Sequence, residues 1–169
     1  NNTAMKKDKI LIVDDDIDVI NVLQTILEHE GYEVVTANDK TQGLAAAKEE
    51  KPDLAICDVM MTTQYEGFEL AKELTEGEEF KGMPVVMQTS IDVLTTSKSS
   101  VQEMAREFRV DPAYQELQVL LVKDAKSGNA GVDYKAEDGT SKWLSVNGFL
   151  RKPVDSSKLL PEISRLLGN

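Results

Sequence analysis

Apolar and polar positions follow two rhythms along this chain. Short, unbroken apolar runs recur, rich in β-branched residues: Lys9-Ile10-Leu11-Ile12-Val13, Glu33-Val34-Val35-Thr36-Ala37, Leu54-Ala55-Ile56-Cys57 and Val85-Val86-Met87-Gln88-Thr89. Such runs suit strands buried on both faces, as in a parallel sheet. Between them, apolar residues return at the three- and four-residue spacing of helices. Ile20, Leu23 and Leu27 form one stripe, with Asp16 placed as its N-cap and Gly31 as its stop. The alanine-rich stretch from Thr41 to Lys51 predicts a second helix ended by Pro52, and Phe68, Ala71 and Leu74 space a short third one. Phe149-Leu150 reads as a last strand, and Leu159, Leu160, Ile163, Leu166 and Leu167 as one face of a last helix. Pro161 either sits in a late-starting first turn of that helix or kinks it.

Strands alternating with helices imply β-α-β crossovers, hence an open α/β sheet, parallel and doubly wound. In such sheets chemistry gathers at the carboxyl ends of the strands. Asp14 and Asp15 end the first predicted strand, Asp58 the third and Thr89 the fourth, while Lys152 follows the last. Residues distant in sequence are therefore expected to converge on one edge. Clustered carboxylates resist ionising unless a positive charge sits among them. A small hard cation such as Mg2+ supplies one, and it favours few carboxylates together with waters and a phosphate oxygen. Lys152 adds a flexible point charge and Thr89 a hydroxyl donor. A carboxylate nucleophile, a metal, an ammonium and a hydroxyl together describe phosphoryl transfer to aspartate. The acidic pair alone reads as an ordinary helix N-terminus, and Asp58 alone as a loop aspartate. Their placement at matching strand ends favours the site.

Sixty-three positions separate Thr89 from Lys152, where a crossover needs only about 10–12 residues. An insertion at about residues 91–147 is therefore expected between the fourth and fifth strands of the sheet. Val101, Met104, Ala105 and Phe108 keep helical spacing up to Asp111-Pro112. Leu117 to Val122 reads as a strand or a short buried helix, and Gly128-Asn129 and Asp138-Gly139 suggest the turns of one or two hairpins. Whether this segment alters a partner or dimer face, or is an inert embellishment, stays open at this level.

Composition narrows the functions. The 169 residues carry 30 acidic against 19 basic side chains, a formal charge of −11, so phosphate backbones repel the chain and direct nucleic-acid binding is not expected. No apolar run approaches the roughly 18 residues of a membrane span. A single cysteine, Cys57, makes no internal disulfide, which points to a reducing cytoplasm. Residues 1–7 carry no pattern and are expected to be a disordered or added terminus, with one domain over 8–169.

Four motifs carry a family resemblance: Ile12-Val13-Asp14-Asp15, Lys51 through Asp58 to Met61, Pro84 through Thr89 to Ser90, and Lys152-Pro153. In this order they resemble the CheY-like receiver domains of two-component response regulators, over about residues 8–90 and 148–168. The resemblance implies a flavodoxin-like, five-stranded sheet of order 2-1-3-4-5 and a signalling switch phosphorylated on Asp58 by a sensor histidine kinase or phosphotransfer protein. It implies a Mg2+ site made by Asp15 directly, Asp14 through water, Asp58, and the backbone carbonyl of Met60. Thr89 matches the switch hydroxyl, Lys152 the lysine that pairs with the phosphoryl group, and Phe149 the aromatic whose rotamer follows the switch. The region around the fourth helix and fifth strand is then the expected partner or dimer face. Thr62 stands where the family usually has proline, and the loop to Gly67 is about one residue longer than the family's common pattern. Met60 offers no polar group to orient water, so slow self-dephosphorylation is expected. It also replaces the acid/base aspartate that an aspartate-nucleophile phosphohydrolase needs, so no metabolic enzyme activity is expected. The other reading is a phosphorylation-independent interaction module with the same fold, either stand-alone or part of a longer regulator.

Overall fold

The computed structural model describes residues 7–59, 61, 64–97 and 100–169. Five parallel strands, β1 (Lys9–Val13), β2 (Glu33–Ala37), β3 (Leu54–Asp58), β4 (Val85–Thr89) and β9 (Gly148–Arg151), form one sheet in the order β2-β1-β3-β4-β9. This is the expected 2-1-3-4-5 order, with β9 as its fifth strand. Helices α1 (Ile17–His29), α2 (Lys40–Glu50), α3 (Gln64–Glu76) and α6 (Ser156–Leu167) connect or follow these strands. Asp16, Asp39 and Asp155 cap α1, α2 and α6 with their carboxylates. Gly31, at φ +93°, follows α1 in the left-handed conformation that a helix stop favours.

Alternate residues of each strand point to opposite faces, and this divides the core in two. Ile10, Ile12, Leu54, Ile56, Val86 and Leu150 pack with Ile20, Leu23 and Leu27 of α1 and Leu159 and Ile163 of α6. Leu11, Val13, Ala55, Cys57, Val85, Met87 and Phe149 face the other way, onto Ala47 of α2 and Phe68, Ala71 and Leu74 of α3. Pro161 lies inside α6 and not in a late-starting first turn: the helix is already capped at Asp155 and begins at Ser156. The third helix has 13 residues, longer than its three apolar landmarks suggested.

The insertion is a second sheet. Strands β5 (Val93–Thr96), β6 (Val119–Asp124), β7 (Ala130–Lys135) and β8 (Ser141–Val146) pair in sequence order. β5 and β6 are parallel and joined through α4 (Val101–Val110) and the short α5 (Pro112–Gln115), whereas β6-β7-β8 is an antiparallel meander. Both expected hairpins are present, and the ambiguous run around Leu117 to Val122 is a strand. The strand at β5 was not foreseen: Val93-Leu94-Thr95-Thr96 is short and half polar, and it becomes a strand because β6 offers an edge to it.

One face of the second sheet, Leu121, Ala130, Val132, Tyr134, Leu144 and Val146, belongs to the same core as α3 and the main sheet. Tyr134 stacks on Phe68 with ring centroids 4.7 Å apart. The opposite face, Leu120 and Val122 with Leu94 and Trp143, is covered by Val101, Met104, Ala105 and Phe108 of α4. The sheet is therefore a buried layer between the main body and α4.

Candidate phosphoryl-acceptor site

Parallel pairing in register brings four strand ends to one rim. Asp58 ends β3 opposite Gln88 of β4, Thr89 ends β4 opposite Arg151 of β9, and Asp14 directly follows β1. The Lys152 amide donates to the Thr89 carbonyl at 2.8 Å, which ties the end of β9 to the end of β4 and holds the lysine over the rim. Its Nζ lies 3.1 Å from Asp58 Oδ1 and 3.8 Å from Asp14 Oδ2.

Asp14 and Asp58 are buried, at 0% and 3% exposure, and Asp15 is exposed. The three offer carboxylate oxygens that all lie within 4.8 Å of one another. Asp14 Oδ1 accepts from the Asp16 amide at 2.9 Å, and its Oδ2 accepts from Gln88 Nε2 at 3.3 Å. Burial pushes the Asp14 carboxyl up from 3.8 to about 6; the Asp16 amide opposes this, the Asp58 charge adds to it, and Lys152 lowers it. One ammonium thus faces two buried carboxylates and a third at the mouth. A hard divalent cation suits an all-oxygen set with surplus negative charge.

Thr89 is 1% exposed, and its Oγ1 accepts from the Ile91 amide at 2.9 Å. A hydroxyl that accepts still has its own proton to donate. Phe149 lies apart from the carboxylates, beside Met87 in register and buried in the core shared with the second sheet. Cys57 is inert: burial, and secondarily the Asp58 charge, push its thiol up to about 12. Met60, the expected carbonyl ligand, and Thr62 lie outside the described residues.

Two participants were not singled out from sequence. Gly67 of α3 approaches the end of β3 so closely that a Cβ there would stand 2.4 Å from the Asp58 carbonyl oxygen and 2.5 Å from that of Val59. Gln88 is a wholly buried amide in a strand otherwise read as apolar filling. A polar residue inside such a run was its available signal. Gln88 also lines a groove of about 480 Å³ between α1 and the β9–α6 connection, with Val19, Val22, Lys152 and Pro153.

Fold and site together define a doubly wound α/β protein with an acidic pocket and a lysine at the carboxyl edge of its parallel sheet. Comparison with known proteins agrees. The response regulator receiver domain family matches residues 10–121. Protein PilH of Pseudomonas aeruginosa is 30% identical over 120 residues, covering 71% of this chain and 98% of that protein. The alkaline phosphatase synthesis transcriptional regulatory protein PhoP of Bacillus subtilis is 40% identical over 84 residues, half of this chain and 34% of PhoP. Among solved structures, a CheY-like receiver domain protein of Methanospirillum hungatei superposes with a TM-score of 0.56 at 25% identity, covering 96% of this chain and 95% of that one. The chain belongs to the response regulator receiver domain family of two-component systems. It spans about a third of PhoP, 56% of the probable transcriptional regulator ycf27 of Cyanophora paradoxa, and nearly all of PilH. No helix among the described residues is long and apolar enough to cross a membrane.

Proposed function

We propose that this chain is a Mg2+-dependent signalling switch that takes a phosphoryl group on Asp58 from a sensor histidine kinase or phosphotransfer protein, in the cytoplasm. The observation that carries the reading is Lys152 Nζ at 3.1 Å from Asp58 Oδ1, within a set of three converging aspartates. In the transfer, an Asp58 carboxylate oxygen bonds to phosphorus as the bond from phosphorus to the donor's imidazole nitrogen breaks, its electron pair leaving with the nitrogen. Asp14, Asp15 and Asp58 would hold Mg2+, which supplies positive charge to the phosphoryl oxygens. Lys152 neutralises the acceptor before transfer and pairs with the phosphoryl oxygens afterwards. Thr89 donates its hydroxyl to one of those oxygens. The second sheet and α4 present the partner or dimer face, and this chain makes no direct contact with nucleic acid or membrane. It turns over no external substrate.

Intact mass after acetyl phosphate and Mg2+ treatment tests this. The wild type gains one phosphoryl mass and Asp58→Asn gains none; an unmodified wild type would instead leave a phosphorylation-independent interaction module. We also propose that the acyl phosphate is long-lived, because methionine at position 60 cannot orient water. Met60→Asn should shorten its lifetime, and a longer one would refute the idea.

A further inference from the structure

A glutamine buried at 0% exposure in a central strand needs a physical reason. Val86, two positions earlier on the same face of β4, packs among the aliphatic side chains of α1 and α6. An apolar residue at 88 would continue that packing. Gln88 instead stands opposite the acceptor Asp58 in the register of β3 and β4. It sends its amide across to Asp14, 74 positions away in sequence, with Nε2 3.3 Å from Oδ2. Its Oε1 is the one buried side-chain polar atom among the described residues that has no hydrogen-bond partner. Half-satisfied, this amide costs folding stability, so its benefit belongs at the site.

Asp14 shows what that benefit is. Its Oδ1 is taken by the Asp16 amide at 2.9 Å, while Oδ2 has two positive-end neighbours, Gln88 Nε2 at 3.3 Å and Lys152 Nζ at 3.8 Å. Lys152 is closer to Asp58, at 3.1 Å. We propose that Gln88 is a positioning residue: its amide anchors Asp14 so that this carboxylate serves the cation pocket while Lys152 stays with Asp58. Without the amide, the shared ammonium is the remaining side-chain partner of Oδ2 among the described residues. The lysine is then drawn between two carboxylates, and the pocket loses the placement of Asp14. The inference rests on the reading of the three aspartates as a Mg2+ pocket and assigns the residue that sets its geometry.

The test is Mg2+ affinity of the full chain without a phosphoryl donor, measured by calorimetry or NMR titration. Gln88→Met keeps the length and volume of the side chain and removes the amide. It should weaken Mg2+ binding about tenfold or more, the scale of one hydrogen bond to a charged group, while thermal stability holds or rises because the unpartnered oxygen is gone. In an Asp14→Asn background the same change should have no further effect on affinity. Wild-type Mg2+ affinity in Gln88→Met, or an equal loss in both backgrounds, would overturn the proposal and leave the pocket itself intact. A wild type that binds no Mg2+ would overturn the proposal and the metal-site reading together. Should Gln88→Met not fold, the wild type decides: the Gln88 side-chain NH2 resonances should exchange slowly and shift on adding Mg2+. Rapid exchange with no shift would refute the anchoring role.

Discussion

At the scale of single residues, the site is a problem of charge. Asp14 is buried beside Asp58, and its carboxyl is held near 6, above the ordinary 3.8. A folded-state pKa above the unfolded one means that the native state binds the proton more tightly. Without metal, the contribution of Asp14 to stability is therefore most favourable below about pH 4 and is lost as pH rises through about 6. Asp14→Asn removes that loss. In EDTA, urea unfolding should show the variant gaining on the wild type between about pH 4 and 6, by on the order of 1–3 kcal/mol, and then holding its advantage. A constant difference across that range would contradict the assignment. The acidic pair, Asp58, Thr89 and Lys152 were legible because each ends or follows a run with the signature of a buried parallel strand. Gln88 was not, because a side chain's partner 74 positions away is invisible in one dimension.

At the scale of elements, strand runs and helical stripes were readable because burial on two faces and on one stripe leave different periods. What sets α3 against β3 was not readable. Gly67 lets the helix backbone lie against the carbonyls of Asp58 and Val59, where an added Cβ would meet oxygen at 2.4 and 2.5 Å. Helix propensity alone favours alanine over glycine by about 1 kcal/mol. Close approach should reverse the sign: Gly67→Ala is expected to destabilise the protein by about 1–3 kcal/mol, measured by urea unfolding, and to slow phosphorylation from acetyl phosphate. Stabilisation by the substitution would show that the contact is slack. β5 was missed for a related reason. Its sequence is a weak strand, and the edge of β6 makes it one.

At the scale of the whole molecule, the second sheet is structural as well as being a candidate interface. Leu121, Val132, Tyr134 and Leu144 close one side of the main core, and α4 packs on the opposite face of the same sheet, against Leu120 and Val122. Each buried large apolar side chain contributes about 1.5–3 kcal/mol, so losing these together is comparable to the whole stability of an ordinary domain, about 5–15 kcal/mol. Excising residues 91–147 is thus expected to abolish cooperative unfolding, as seen by near-UV circular dichroism on heating. An excised chain that still melted sharply would show that the insertion adds little to the core. Partner contacts are better tested by substitutions on the exposed side of α4, such as Val110→Asp, which leave this core in place.

The order of runs and stripes, their end residues and the size of the gap before Lys152 determined the parallel sheet, the candidate acceptor Asp58 and the presence of an insertion, because burial and strand direction write a local pattern. Lys152 was legible from its place after the last run, but the strand pairing that carries it to Asp58 was decided in three dimensions. Val119 to Lys123 is also an apolar run ending in lysine, and the family match stops inside it, at Leu121. Folding pairs β6 with β5 and β7 in the second sheet, and it is β9 that lies beside β4 and brings Lys152 to Asp58. Strand adjacency depends on how the layers fill space around α3, a long-range property that no local pattern of residues encodes.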